Sequence, residues 1–177
     1  MNRPRPDRYE DWDQLYTNLD PDSVRSTFQS MPAAVAAISA VVGDEPRVLV
    51  VSSFTVGVSF DPPMCSFAVQ GTSTTWPALS RAPRLGVSIL GAGHQGTVRQ
   101  LASRDQARRF DGVDHTRLPS DAVMLYDSPL WLECRIAHDY EAGDHRLIVL
   151  EVLGSSVAGE HEPLLVHQTR FGTYLPR

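Results

Sequence analysis

The stretch from Pro46 to Trp76 constrains this chain more than any other. Two apolar runs of strand length, Arg47–Val51 and Met64–Val69, flank an elbow of small and hydroxylated residues: Ser52, Ser53, Thr55, Gly57 and Ser59. Asp61-Pro62-Pro63 closes the elbow, and a second hydroxyl cluster, Thr72-Ser73-Thr74-Thr75, runs into Trp76-Pro77. β-Branched runs bounded by turn residues read as strands. On composition alone the elbow is ordinary turn chemistry. Hydroxyls and bare backbone N–H groups at strand ends also suit a polyhydroxylated, phosphorylated ligand, because they hydrogen-bond it and let it approach the backbone.

The remaining chain is strand-rich. Asp20 reads as a helix N-cap with Pro21 at the first helical position, and Val24, Phe28 and Met31 give that helix a short apolar face. Pro32 ends it. Ala33–Val42, Arg84–Leu90, Trp131–His138, His145–Val157 and Leu164–Thr169 read as strands, with turns at Gly43–Pro46 and Glu141–Asp144. A short helix is expected over Pro77–Arg81 with Thr75 as cap, where a phosphate could use the Thr side chains and the helix N-terminus. A second helix is expected over His94–Ser103. Asp105–Ser120 is charged and irregular, anchored by Phe110. The pattern predicts a mainly β fold, a closed antiparallel barrel with a few short helices, rather than alternating βα units.

With 177 residues the chain fits one domain, Asp20–Arg177, preceded by a polar arm, Met1–Leu19, expected to be flexible. A net charge of −5 argues against nucleic acid as a partner, since phosphate-backbone binding needs a basic face. Cys65 and Cys134 lie far apart without metal-like spacing and read as small core residues in a reducing compartment. The N-terminus lacks an apolar h-region and no run approaches the ~20 apolar residues of a membrane span, so a cytoplasmic protein is expected. No metal site is expected. No hydrolase signature of the GxSxG or HExxH type is present. The histidines at 94, 115, 138, 145, 161 and 167 are scattered, and His145, following Gly143-Asp144, is either a plain turn neighbour or a functional group.

The order of several short motifs favours a functional role. SSFTVGVSFDPP, SFAVQ, TSTTWP, LGVSILGAGH, RRFDGVD, AGDH at Ala142–His145 and EPLLVH follow one another with a spacing that resembles the flavin reductase-like family. These are short NAD(P)H:flavin oxidoreductases that feed reduced flavin to two-component monooxygenases. The resemblance covers Met31–Tyr174. It implies a split β-barrel that pairs as a homodimer, with FMN or FAD near the subunit interface and NADH or NADPH as hydride donor. Such chemistry is carried by the cofactors, while the protein holds two rings stacked, so no catalytic triad is needed. Matched residue by residue, the resemblance implies that Leu49, Val50, Ser52 and Ser53 lie along the flavin ring and ribityl chain. Ala68, Val69 and Gln70 would line the next strand edge. Thr74 and Thr75 would hold the phosphate, with Gln100 and Leu101 close to it. His145, His167, Gln168, Thr169 and Phe171 would face the nicotinamide, His145 as the catalytic candidate.

The sequence departs from the family pattern in several places, among them Val48 and Leu49 where many relatives have a Gly before the elbow, and an elbow, SSFTVGVS, one residue longer than the commoner form. Pro32-Ala33-Ala34-Val35-Ala36 stands where relatives often read Pro-Thr-Gly-Val-Ala, and Gln100 stands where many carry Arg. These departures leave FMN against FAD open. They also keep two other readings in view: a flavin-binding module without NAD(P)H turnover, and a split-barrel oxidoreductase holding a flavin or deazaflavin tightly while acting on a small substrate.

Overall fold

Alternation of side chains along the strands creates two cores on either side of one sheet. The computed structural model describes residues 20–174, so the expected Met1–Leu19 arm lies outside the described residues. The chain opens with α1 (Pro21–Gln29), capped by the Asp20 carboxylate, which accepts from the Asp22 and Ser23 N–H groups. The expected Ala33–Val42 strand is divided at Val35 into β1 (Ala33–Ala34) and β2 (Ala36–Val42). There follow β3 (Glu45–Val51), β4 (Thr55–Phe60), β5 (Pro63–Gln70), α2 (Trp76–Leu79) and β6 (Leu85–Ile89). After a 3-10 turn at Ala92–Gly96 come α3 (Val98–Leu101), β7 (His115–Arg117) and β8 (Val123–Leu125). The long hairpin β9 (Leu130–Ala142) and β10 (His145–Val157) precedes the short pair β11 (Leu164–His167) and β12 (Arg170–Thr173).

The main sheet has seven strands in the order β3-β2-β6-β9-β10-β5-β4, all neighbours antiparallel. Ala36, Ile38 and Ala40 of β2 point to the first core, with Cys65 and Phe67 of β5, Cys134 of β9 and Ile148 of β10. Phe67 meets Trp76 edge to face, with ring centroids 5.4 Å apart. Burying such a side chain fully contributes about 1.5–3 kcal/mol. Both cysteines are free and buried, as expected of small core residues. Ala37 of β2 and Val48 of β3 point the other way, to a second core with Val98 and Leu101 of α3 and Leu164 of β11. On the outer side of β6 the β7–β8 pair packs closely. A methyl at Gly86 would overlap the Val123 carbonyl, while the buried Ser88 hydroxyl accepts from the Leu125 N–H at 3.0 Å.

Three expectations are corrected. The elbow between β3 and β5 is not all turn: Thr55–Phe60 alternates well enough to form β4 against β5, with a register shift between Val56 and Ser59 where Gly57 takes φ +76°. The sheet is not closed by hydrogen bonds, because its ends, β3 and β4, are not paired with each other. Ser52–Phe54 must carry the chain from one end strand to the other and occupies the gap. Finally, the expected Leu164–Thr169 strand ends at His167, because Gln168 and Thr169 take positive φ and turn the chain into β12. No helix of the described residues is long and apolar enough to cross a membrane.

Candidate functional site

The unclosed gap between β3 and β5 brings together Val50, Ser52, Ser53, Ala68 and Gln70 among the sequence-derived candidates. The Val48 carbonyl accepts from Arg109 Nη1 at 2.6 Å and so points away from β2. Alternation then leaves the N–H and C=O of Val50 on the same unpaired edge. Across the gap, the Ser53 hydroxyl donates to the Ala68 carbonyl and accepts from the Ala68 N–H, both at 3.0 Å. A serine hydroxyl thus does there what a neighbouring strand would do, and the Gln70 carbonyl on the same edge accepts from the Ser73 N–H at 3.0 Å. β3 and β5 are near neighbours. Ser52 is exposed. Leu49 packs on the first core and Val69 is buried in it, so their side chains set strand positions and do not enter the gap.

The second hydroxyl cluster divides. Thr74 is exposed, with the Gln106 amide 3.5 Å from its hydroxyl. Thr75 is turned inward, and its hydroxyl accepts from Arg109 Nη1 at 2.9 Å. It does not cap α2; the Trp76 N–H is satisfied by the Ser73 hydroxyl at 3.2 Å. The Gln100 amide donates to the carbonyls of Asp111 at 2.6 Å and Arg109 at 3.3 Å, and Leu101 is fully buried beneath it. Both residues fasten the 103–111 loop. Sequence reasoning missed Arg109, although RRFDGVD contained it; the available signal was a cation directly before the apolar anchor Phe110. Burial lowers the Arg109 pKa, and the like charge of Arg47 lowers it further.

His145 stands at the same end of the gap, opposite Gln70 on β5 and Ala142 on β9. Its Nδ1 donates to the Asp144 carboxylate at 2.7 Å, and that bond holds the Asp144 carboxyl below the ordinary carboxylate range. With Nδ1 carrying the proton, neutral His145 keeps Nε2 as an acceptor. The Asp144 carbonyl receives the Gly71 N–H at 2.9 Å, which fixes this turn to the end of β5. The remaining candidates sit apart in bonding terms. His167 Nε2 lies 3.1 Å from the Ser30 carbonyl and the Gln168 N–H donates to the Gln29 carbonyl at 2.9 Å, so the β11–β12 turn is tied to the end of α1. Gln168, Thr169 and Phe171 belong to this segment; His167, Gln168 and Phe171 line a separate cleft of about 380 Å³ with Pro32 and Arg170. Among the described residues no group of His, Cys, Asp and Glu could hold a metal ion.

An open sheet edge beside hydroxyls, a buried cation and a fixed imidazole suits a phosphorylated aromatic ligand. Comparison with known proteins agrees. Residues 28–174 match the model of the flavin reductase like domain, and the chain belongs to that family. It is 28% identical over 157 residues to a flavin reductase of Pseudomonas putida, covering 88% of this chain and 91% of that one. It is 27% identical over 153 residues to HsaB, the reductase subunit of a flavin-dependent monooxygenase of Rhodococcus jostii, covering 86% of this chain and 77% of the relative. The structure of the NADH:FAD oxidoreductase SgcE6 of Streptomyces globisporus, in complex with NAD and FAD fragments, superposes with a TM-score of 0.81 at 31% identity over 89% of this chain and 96% of that one.

Proposed function

We propose that this protein is an NAD(P)H-dependent flavin reductase that passes hydride from a nicotinamide to FMN or FAD and supplies the reduced flavin to a partner monooxygenase. The observation that carries this reading is the gap between β3 and β5, where side-chain hydroxyls take the place of a neighbouring strand and His145 stands at the end of β5. Flavin, when bound, supplies the hydride acceptor, and the nicotinamide supplies the hydride.

The chain's own residues bind and orient. The backbone edges of Leu49–Val50 and Ala68–Gln70, with Ser52 and Ser53, hold the ring and ribityl chain. Thr74 and Thr75, bonded to the 103–111 loop that Gln100 fastens, hold the phosphate. His145, kept in one tautomer by Asp144, orients the nicotinamide, and the segment His167–Phe171 faces it. Rigid placement of two rings is the whole of the protein's catalytic contribution, and it removes much of the entropic barrier. The molecule works as a homodimer of split barrels. Its support is the group of exposed apolar residues Val56, Val58 and Phe60 on the end strand β4. The HsaB relative, being a monooxygenase reductase subunit, supports the monooxygenase partner.

The test is spectroscopic. Purified protein is mixed with NADH or NADPH and with catalytic or excess FMN or FAD, and the nicotinamide absorbance is followed. Oxidation that rises with free flavin is the expected result and ranks FMN against FAD. A yellow protein indifferent to both nicotinamides would point to a binding module, and a colourless, inactive one would refute the reading.

A further inference from the structure

Between α3 and the 103–111 loop lies a cleft of about 330 Å³, lined by Arg99, Gln100, Ser103, Asp105, Arg108 and Asp111. It shares no residue with the gap between β3 and β5, and its volume falls at the lower end of the range for small-ligand sites. Residues 99–109 carry four of the chain's 16 basic side chains and one acid, Asp105, in a protein of net charge −5. A cationic patch on an acidic molecule draws anionic ligands to that place. Exposed arginines on a loose loop would mean little, but the backbone beneath these is fastened. The Gln100 amide donates to the carbonyls of Asp111 at 2.6 Å and Arg109 at 3.3 Å. Arg109 Nε donates to the Ser103 carbonyl at 2.7 Å, and the Ser103 hydroxyl accepts from the Asp105 N–H at 3.1 Å. Arg108 Nε donates to the Asp111 carboxylate at 3.4 Å, which steadies it at the rim. Gln106–Arg108 forms one 3-10 turn, in which side chains three apart eclipse, so Asp105 and Arg108 stand on the cleft side. Gln106 faces the other way. Its amide oxygen accepts from Arg47 at 3.1 Å, and its nitrogen lies 3.5 Å from the Thr74 hydroxyl. The cleft therefore begins one residue from the place where the loop meets Thr74.

We propose that this cleft is an adenylate subsite, which takes the adenosine 5′-phosphate half of FAD while the flavin half occupies the gap. The guanidinium groups of Arg99 and Arg108 meet the diphosphate and the face of the adenine, both of which suit a planar cation. Asp105, beside Ser103, accepts from the ribose diol, as acidic side chains do in other nucleotide sites. A rim already fastened loses little freedom when the ligand arrives. The inference rests on the flavin reductase reading and deepens it, because it names FAD as the preferred flavin. A nicotinamide dinucleotide carries the same adenylate, and the closeness of Thr74 favours FAD as its source.

Calorimetric titration with FAD, FMN and ADP separates this cleft from the flavin site. The wild type is expected to bind FAD more tightly than FMN, and ADP should compete with FAD while leaving FMN affinity unchanged. Arg99→Ser with Arg108→Ser is expected to weaken FAD and ADP by about tenfold and to spare FMN. Asp105→Ala is expected to weaken FAD and ADP as well. A cleft that merely attracts anions would bind both more tightly once that negative charge is removed, and such a result would overturn the proposal. FAD and ADP both unchanged in the double variant, FMN weakened as much as FAD, or a wild type with equal affinity for the two flavins and none for ADP would also overturn it, and each would leave the reductase reading intact. A wild type that binds neither flavin would end both. Should the double variant weaken ADP, spare both flavins and raise the KM of NADH but not that of reduced nicotinamide mononucleotide, the subsite stands and its adenylate is the nicotinamide's.

Discussion

At the scale of single residues, His145 and His94 show how differently two histidines can be employed. His145 is part-exposed at the end of β10, with its tautomer set by Asp144. His145→Ala should slow flavin reduction by about tenfold or more, through loss of ring placement, while flavin affinity changes little. Single-turnover mixing beside a flavin titration checks this, and unchanged turnover would return His145 to a turn neighbour. His94 is buried, and its Nδ1 accepts from the Gly91 N–H at 3.1 Å. Burial lowers its pKa from the ordinary 6.5, against the opposing charge of Asp127. A histidine kept neutral in the fold binds fewer protons there than in the unfolded chain, so it adds stability above pH 6.5 that fades as pH falls toward the lowered value. The urea midpoint should therefore drop between pH 7.5 and 5.5, and His94→Gln should flatten that drop; an identical drop in the variant would refute it. Thr74 and His145 are singled out as candidates in the sequence because local motifs carry them. Arg109 is not, because its meaning lies in Val48 and Thr75, distant in sequence and joined to it only by tertiary packing.

Among the elements, the helix start at Asp20-Pro21 and the strands β3, β5, β6, β9 and β10 were readable from capping chemistry and β-branched runs. β4 was not. Its hydroxyls and Gly57 read as turn residues, and only pairing with β5 makes Thr55–Phe60 a strand, as context overrides weak β-propensity. The β11–β12 turn was hidden for a related reason. Gln168 and Thr169 adopt φ of +48° and +66°, where Asn-Gly would be the ordinary two-residue choice and where a β-branched Thr is strained. Strain of this kind is retained where side chains serve a function. Gln168→Asn with Thr169→Gly should therefore raise stability by about 0.5–1 kcal/mol and lower turnover with NADH. Thermal melts and steady-state rates read the two effects together. A stabilised variant of full activity would remove these two side chains from the nicotinamide site.

For the whole molecule, the net charge of −5 and the mainly β topology follow from composition and pattern, but the way the surface is completed does not. Sequence patterning predicts a closed barrel, whereas the sheet ends at β3 and β4 and exposes an apolar row on the latter. Val56, Val58 and Phe60 are 60%, 48% and 89% exposed, gathered on one short end strand around the irregularity at Gly57. An end strand carrying such a row is a pairing hazard unless something covers it. A second copy does so economically, since a two-fold axis lets one patch cover its own equivalent. Leu153 and Val157 of β10, 43% and 76% exposed, add to the exposed apolar surface. A stable interface of this kind buries roughly 800 Å² on each partner. Sedimentation should show a dimer at micromolar concentration, and Val58→Lys with Phe60→Glu should convert it to a folded monomer by desolvating charge at the contact. A wild-type monomer would refute the homodimer, and a variant that still sediments as a dimer would move the interface away from β4.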